Sequence, residues 1–437
     1  MSAAEGKDML QWATELFPIC RSITGNGLRQ TLEYLNKLLP ELEIHEVPAG
    51  TQVFDWTIPN EWNVEEAYLE APDGKRLIDF KENNLHLVSY SEPVDQRLPL
   101  EQLQPHLHSI PEQPDLIPYR TSYYQRNWGF CLPHTLRASL EPGEYRVLID
   151  SELNENGSLS YAELHLQGET SEEIMFSTYP CHPSLANDNL SGVVLAAALA
   201  KHLRNGKPLR HSYRFLWTPE TIGALAWLSR NLDAAKANLA AGFILTCVGD
   251  DGPHSHLPSR TGSTPADRAI LATLKGRGLP IRTYPFHERG SDERQYCHPA
   301  VDLPFASLMR SKYNEYPEYH TSADNIDLLS SQALQESFDL HLEIIELLEH
   351  NHVYEPTTIG EPQLGKRNLY SNLSASALDE QETLRYKILG HADGKLDLLS
   401  LVEIVEEPPS SVNEQIQLLI QAGVIKRTKP TRLHETI

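Results

Sequence analysis

Apolar side chains recur every three to four residues in "MLQWATELF" and again in "GLRQTLEYLNKLL". This spacing predicts two helices within residues 7–40, joined by the turn-rich "SITGNG". Beyond about residue 45 the texture changes to short β-like runs in "HEVPAGTQVFDWTIPNEWNVEEAYLEAPDGKRLIDF", with "APDG" as a turn signal. Repeated prolines in "LPLEQLQPHLHSIPEQPDLIP" then rule out one long regular element. Residues 48–139 therefore read as a β- and Pro-rich insertion. From about 140 come strand-like "YRVLIDSEL", "LSYAELHL" and "EEIMFSTYP", followed by the helix "SGVVLAAALAKHL", the strand "SYRFLWTP", the helix "TIGALAWLSRNL" and the strand "AAGFILTCVG". Alternation at this spacing predicts an α/β fold, a mixed sheet with helices on both faces in three layers. Its domain would comprise residues 1–47 and 140–362.

The last segment, 363–437, carries three amphipathic helices and a closing "GVIKRT" strand, the order of a winged helix-turn-helix. It holds nine Lys/Arg against ten Asp/Glu, so it lacks the basic surplus of a DNA reader and suits packing or dimerisation. A net charge of -23 argues against nucleic acid as a partner for the whole chain. Self-association into a homo-oligomer is left open. Cys20, Cys131, Cys181, Cys247 and Cys297 are odd in number and contain no CxxC pair, which fits a reducing cytoplasm better than a disulfide framework. The N-terminal stretch lacks a signal-peptide pattern and no run is long enough to cross a membrane, so the expected location is cytoplasmic, without membrane contact.

Candidate chemistry gathers at strand-to-helix loops, where α/β sheets bind ligands. "YPCHPSLANDNLSG" presents His182 and Asp188 ahead of an apolar helix, Glu220 follows "FLWTP", and His320 lies in "EYPEYHTSADNIDLLS". Two imidazoles and a carboxylate suit Zn²⁺, with an open fourth position for catalysis. Glu220 would remain free to accept a proton from activated water. Each residue also has a plainer reading. The chain has 19 histidines, Asp188 could be a helix N-cap, and Glu220 could be a first-turn glutamate.

"HPSLANDNLSGVVLAAALAKHL", "SYRFLWTPETIGALAW", "FILTCVGDDG" and "YHTSADNID" resemble, in order, the signature blocks of the M28-type zinc aminopeptidases. With the insertion, the winged helix and "GSDERQYCHP" at 290–299, the layout is similar to a bacterial subgroup of polysaccharide-biosynthesis-associated, aminopeptidase-like proteins. The resemblance implies a zinc exopeptidase-like fold and a metallo-aminopeptidase-like hydrolase. The metal ligands would be His182, Asp188 and His320, with Glu220 as general base. The dizinc peptidases carry a second glutamate where this chain has Thr221, and a metal-binding acid where it has Thr246. Each metal of the pair has thus lost a ligand, and one Zn²⁺ per chain is expected. The substrate implied is a small peptide or N-acylated amino compound. Asp292 and Glu293 would take its amino end and Arg294 or Arg310 a carboxylate, with Tyr319 as a further substrate-binding residue; the plainer reading of 290–299 is a structural ion-pair loop. Two alternatives keep the fold: a single-zinc acyl transferase or cyclase, and a catalytically degenerate scaffold or regulator that uses the winged helix.

Overall fold

The structure, a computed structural model, describes residues 4–369 and 379–428. The remainder of the expected winged-helix segment, 370–378 and 429–437, lies outside the described residues. The main sheet has eight strands: β1 Glu43–Pro48, β2 Ser158–Leu166, β3 Glu173–Thr178, β4 Ser212–Trp217, β5 Leu239–Ile244, β6 His254–Leu257, β7 Ile281–Thr283 and β8 Phe305–Met309. Their order across the sheet is β1-β2-β4-β3-β5-β8-β6-β7. The centre is parallel (β4, β3, β5, β8), while β1 and β2 on one flank and β6 on the other pair antiparallel.

Side-chain alternation along these strands decides which helices they meet. Ile174, Phe176, Phe215, Trp217 and Phe243 face one way. They pack under α1 Ala4–Leu16, α2 Asn26–Leu38, α3 Ser191–Arg204, α5 Pro265–Gly276 and α6 Ser331–Glu349. The intervening Met175, Leu216 and Ile244 face the other way, against α4 Ile222–Asn238 and the inserted segment. The central strands are buried on both sides and hence read as continuous apolar runs. The three-layer α/β reading holds.

One strand moves between units. Residues 144–154, read from sequence as the start of the main domain, pair instead with Glu61–Glu70 and Val94–Pro99 in a separate four-stranded sheet. The insertion is thus closed by a long-range strand, so its boundary falls beyond 140. At the C-terminus, α7 Glu380–His391, α8 Leu398–Val405 and α9 Pro409–Gln421 lead to a strand Ile425–Arg427. That strand pairs antiparallel with Tyr354–Pro356, which lies before the expected boundary at 363. The unit is fastened to α5 by Arg268, which binds Glu403 through two nitrogens. No described helix is long and apolar enough to cross a membrane.

His341 in α6 gives the fold a pH signature. It is 1% exposed and its Nδ1–H donates to the Ser337 carbonyl; burial pushes its pKa down to about 4. The unfolded imidazole titrates near ~6.5. Stability is therefore complete above that pH. It drains as pH falls from there towards about 4, because the unfolded chain takes up a proton the folded chain refuses. His341→Gln removes this source of acid lability. In urea titrations at several pH values, its deficit against wild type should shrink by about 1.4 kcal/mol per pH unit below pH ~6.5. A pH-independent deficit would contradict the assignment.

Candidate metal centre

Strand β3 ends at Thr178 and delivers Tyr179, Cys181 and His182 to the carboxyl edge of the sheet. The chain loops through Asp188 before α3 begins at Ser191. Glu220 follows β4, Thr246 follows β5, and His320 sits on the long loop between β8 and α6. Parallel neighbours in the sheet thus bring loops distant in sequence to one point.

One ligand atom each from His182, Asp188 and His320 can be chosen so that all lie within 4.8 Å of one another. Asp188 is 1% exposed and its Oδ2 is 3.0 Å from His320 Nε2. Its backbone N–H donates to Asp324, whose carboxylate also accepts from the N–H groups of Ala186 and Asn187 and from the Tyr316 hydroxyl. Burial pushes Asp188 upward, but His182, His320 and Tyr179 outweigh it and hold its pKa at about 2. Burial lowers the His182 pKa to about 4, which leaves a neutral imidazole at pH 7, the form a metal needs. Behind it, the fully buried Arg21 donates from Nε to the His182 carbonyl and fixes the loop.

The N-cap reading of Asp188 does not survive. Its carboxylate accepts from Tyr179 and meets His320, and α3 has no side-chain cap. Glu220 likewise caps nothing on α4, and its backbone N–H donates to Cys181 Sγ. Its carboxylate reaches to 3.9 Å from His182 Nε2 and keeps a quarter of its side chain exposed. Burial, then the charges of Asp292 and Asp188, raise its pKa well above the ordinary range.

Asp292 is fully buried, with its pKa pushed up to about 8 by burial and then by Glu293. One of its oxygens accepts from the Thr221 N–H, and the other is buried without a hydrogen-bond partner among the described residues. That bond holds Thr221, a β-branched residue, at φ 63°. Positive φ recurs at Ser184, Cys247 and His320. Such conformations are costly outside glycine and gather at functional sites.

The other substrate candidates divide. Glu293 is buried and accepts from the Ser291 N–H and the Ser307 and Tyr313 hydroxyls. The guanidinium of Arg310 donates from Nε to the Gly252 carbonyl and from Nη1 to Glu336, with Asp250 at 4.0 Å. Arg294 is exposed. Tyr319 stacks flat on His320 with ring centres 3.9 Å apart.

Three contributors escaped the sequence reading. Tyr179 donates to Asp188 Oδ1 at 2.7 Å, and its oxygen lies 2.7 Å from Thr246 Oγ1. Asp324 organises the Asp188 backbone. Tyr119, from the insertion, stands edge-on to both His182 and His320, and its N–H donates to the His320 carbonyl. The "TSAD" following His320 hinted at Asp324; nothing local marks Tyr119, 63 residues ahead of His182 in an irregular stretch of the insertion.

Two imidazoles and a carboxylate are a fitting donor set for zinc. The surrounding carboxylates, Glu220, Asp292 and Asp324, are all raised by burial and then by the charge of neighbouring carboxylates. A cation is what this electrostatic setting favours.

Residues 10–351 match the family model described as Domain of unknown function (DUF4910), and residues 352–427 match a winged helix-turn-helix model. A Clostridium acetobutylicum protein, provisionally named a polysaccharide biosynthesis protein with aminopeptidase-like domain, is 46% identical over 404 residues, 92% of each chain. A crystal structure from the same species, provisionally described as a peptidase, superposes with a TM-score of 0.92 at 43% identity, over 98% of this chain and 97% of that one. A zinc aminopeptidase from Bacillus subtilis shares the fold at a TM-score of 0.57 and 12% identity, over 78% of this chain and 94% of its own. An M28 peptidase precursor from Shewanella amazonensis does so at 0.56 and 12%, over 82% and 94%.

Proposed function

This chain belongs to the DUF4910 family, and from that premise we propose that it is a zinc-dependent amide hydrolase of aminopeptidase type. It would hold one zinc per chain and act on a small peptide or an N-acylated amino compound. The observation that carries the reading is the convergence of His182 and Asp188 from the loop after β3 with His320 from the loop before α6, with Glu220 beside them. Bound there, zinc would supply Lewis acidity to water and to an amide carbonyl.

The chain's own residues do the rest. Glu220 accepts the proton of the attacking water and returns it to the departing amine as the C–N bond breaks. Burial and the neighbouring Asp292 and Asp188 raise its affinity for a proton, the direction a proton acceptor needs. Tyr119 and Tyr319 wall the two imidazoles and restrict water there. Asp292, beside Glu220, is the remaining acid that could meet a substrate ammonium. The Clostridium relative's name places that protein in polysaccharide biosynthesis, which favours an N-acylated amino compound here. Zinc-loaded protein offered amino-acid amides and N-acyl amino compounds should release amine or acid, and chelation should stop it. Acyl transfer to an added amine without hydrolysis would favour a transferase instead. No reaction in either format would leave a scaffold.

The winged helix is read as a packing unit without nucleic acid as partner. Its third helix, α9, carries no Lys or Arg, and its leading Pro409 abuts Gly276 of α5, where an added Cβ would meet the proline ring at 2.5 Å. Fluorescence anisotropy with duplex DNA at physiological salt should show no submicromolar binding. A tight, salt-sensitive complex would revive a regulatory role.

A further inference from the structure

We propose that Tyr179 and Thr246 together limit this centre to one metal ion by taking one oxygen of Asp188 out of metal chemistry. The inference rests on the zinc reading above. A carboxylate can bridge two ions because it has two oxygens. In this chain the two have different company. Oδ2 faces His320 Nε2 at 3.0 Å, whereas Oδ1 accepts the Tyr179 hydroxyl at 2.7 Å.

The phenol is not free to leave that oxygen. Tyr179 is 2% exposed, and its ring stands edge-on to His182 with centres 5.3 Å apart. On its other side the phenol oxygen lies 2.7 Å from Thr246 Oγ1. Thr246 is itself fully buried, and its hydroxyl is within 3.4 Å of Cys247 Sγ. A second cation on the Oδ1 side would therefore have to displace a held phenol. It would gain there only a threonine hydroxyl, which is a poor ligand beside a carboxylate or imidazole. Tyr179 is accordingly a positioning residue: it orients the Asp188 carboxylate so that Oδ2 alone is offered, to the ion that His182 and His320 share.

Tyr179→Phe removes one oxygen and keeps the ring in its packing, so the fold should persist in the absence of metal, with a lowered melting temperature from the lost hydrogen bond to Asp188. Partners that orient a ligand typically contribute 10–100-fold to metal affinity. Calorimetric zinc titration should find Tyr179→Phe binding one zinc about 10–100-fold more weakly than wild type. Its Co²⁺-loaded form should show an altered visible absorption band, as the freed carboxylate turns towards the ion. Tyr179→Phe/Thr246→Asp places a carboxylate beside the freed Oδ1 and His182, and its uptake should rise above one zinc per chain. Thr246→Asp with Tyr179 retained should stay at one.

Unchanged zinc affinity and an unchanged cobalt spectrum in Tyr179→Phe would overturn the proposal while leaving the zinc reading intact. So would two zincs bound by the wild-type protein. A wild-type protein that binds no zinc would remove the zinc reading itself, and the proposal with it.

Discussion

Glu220→Gln is expected to bind zinc as the parent does and to lose about 10²–10⁴-fold in the rate of amide hydrolysis. Glutamine keeps the shape of the side chain and a hydrogen-bonding oxygen, but it cannot accept and pass on a proton. The carboxyl lies 3.9 Å from His182 Nε2, within reach of a water in the cluster and outside the three-residue donor set. The substitution also removes a charge that burial, Asp292 and Asp188 all oppose. A group whose folded pKa is raised weakens the fold as pH climbs past its unfolded value. The variant should therefore melt no lower than wild type, and higher at alkaline pH. Loss of zinc in Glu220→Gln would make Glu220 a ligand. Retained hydrolysis would move the base to Asp292, the adjacent buried acid.

Removing a metal ligand should have the other large effect. A structural zinc contributes roughly 10–16 kcal/mol across four ligands, so each is worth about 3 kcal/mol, or more than about 100-fold in affinity. His182→Ala and His320→Ala should each lose zinc at concentrations that saturate wild type. Asp188→Asn should do the same, because the amide removes the negative charge while keeping the shape. Asp188 is also the group with most to lose structurally. His182 and His320 together hold its pKa at about 2 against burial, so the zinc-free Asp188→Asn protein should lack that stabilisation above the unfolded carboxylate range. Thermal shift with and without zinc separates the effects: wild type should gain melting temperature on zinc addition, and the three variants should not. A full zinc-induced shift in His320→Ala would exclude that residue as a ligand.

How much of this was legible in the sequence depends on how far each contact reaches along the chain. His182, Asp188, Glu220 and His320 could be found because each lies at the end of a strand whose apolar run is visible, and parallel strands carry their loops to one edge. Thr221 and Thr246 could be read as departures for the same reason. Tyr179 could not: it follows the buried "IMFST" run, and only the folded loop shows its hydroxyl on Asp188. Tyr119 was invisible because it reaches the site through a backbone hydrogen bond to His320 on a distant loop, which no periodicity signals. The strand at 144–154 was assigned to the nearer sheet because its alternation fits either one; register with residues 61–70 decides it. For Arg310 and Glu293, sequence shows charge without showing what surrounds it. Glu336 and Gly252 accept from the first, and Ser307 and Tyr313 donate to the second.

The most direct test is the metal content of the wild-type protein, purified without chelator, loaded with zinc and desalted, then read by elemental analysis against protein concentration. The centre built from His182, Asp188 and His320, with Tyr179 on the second oxygen of Asp188, should retain close to one zinc per chain, and His320→Ala close to none. Two retained zincs, or none, in the wild-type protein would contradict it.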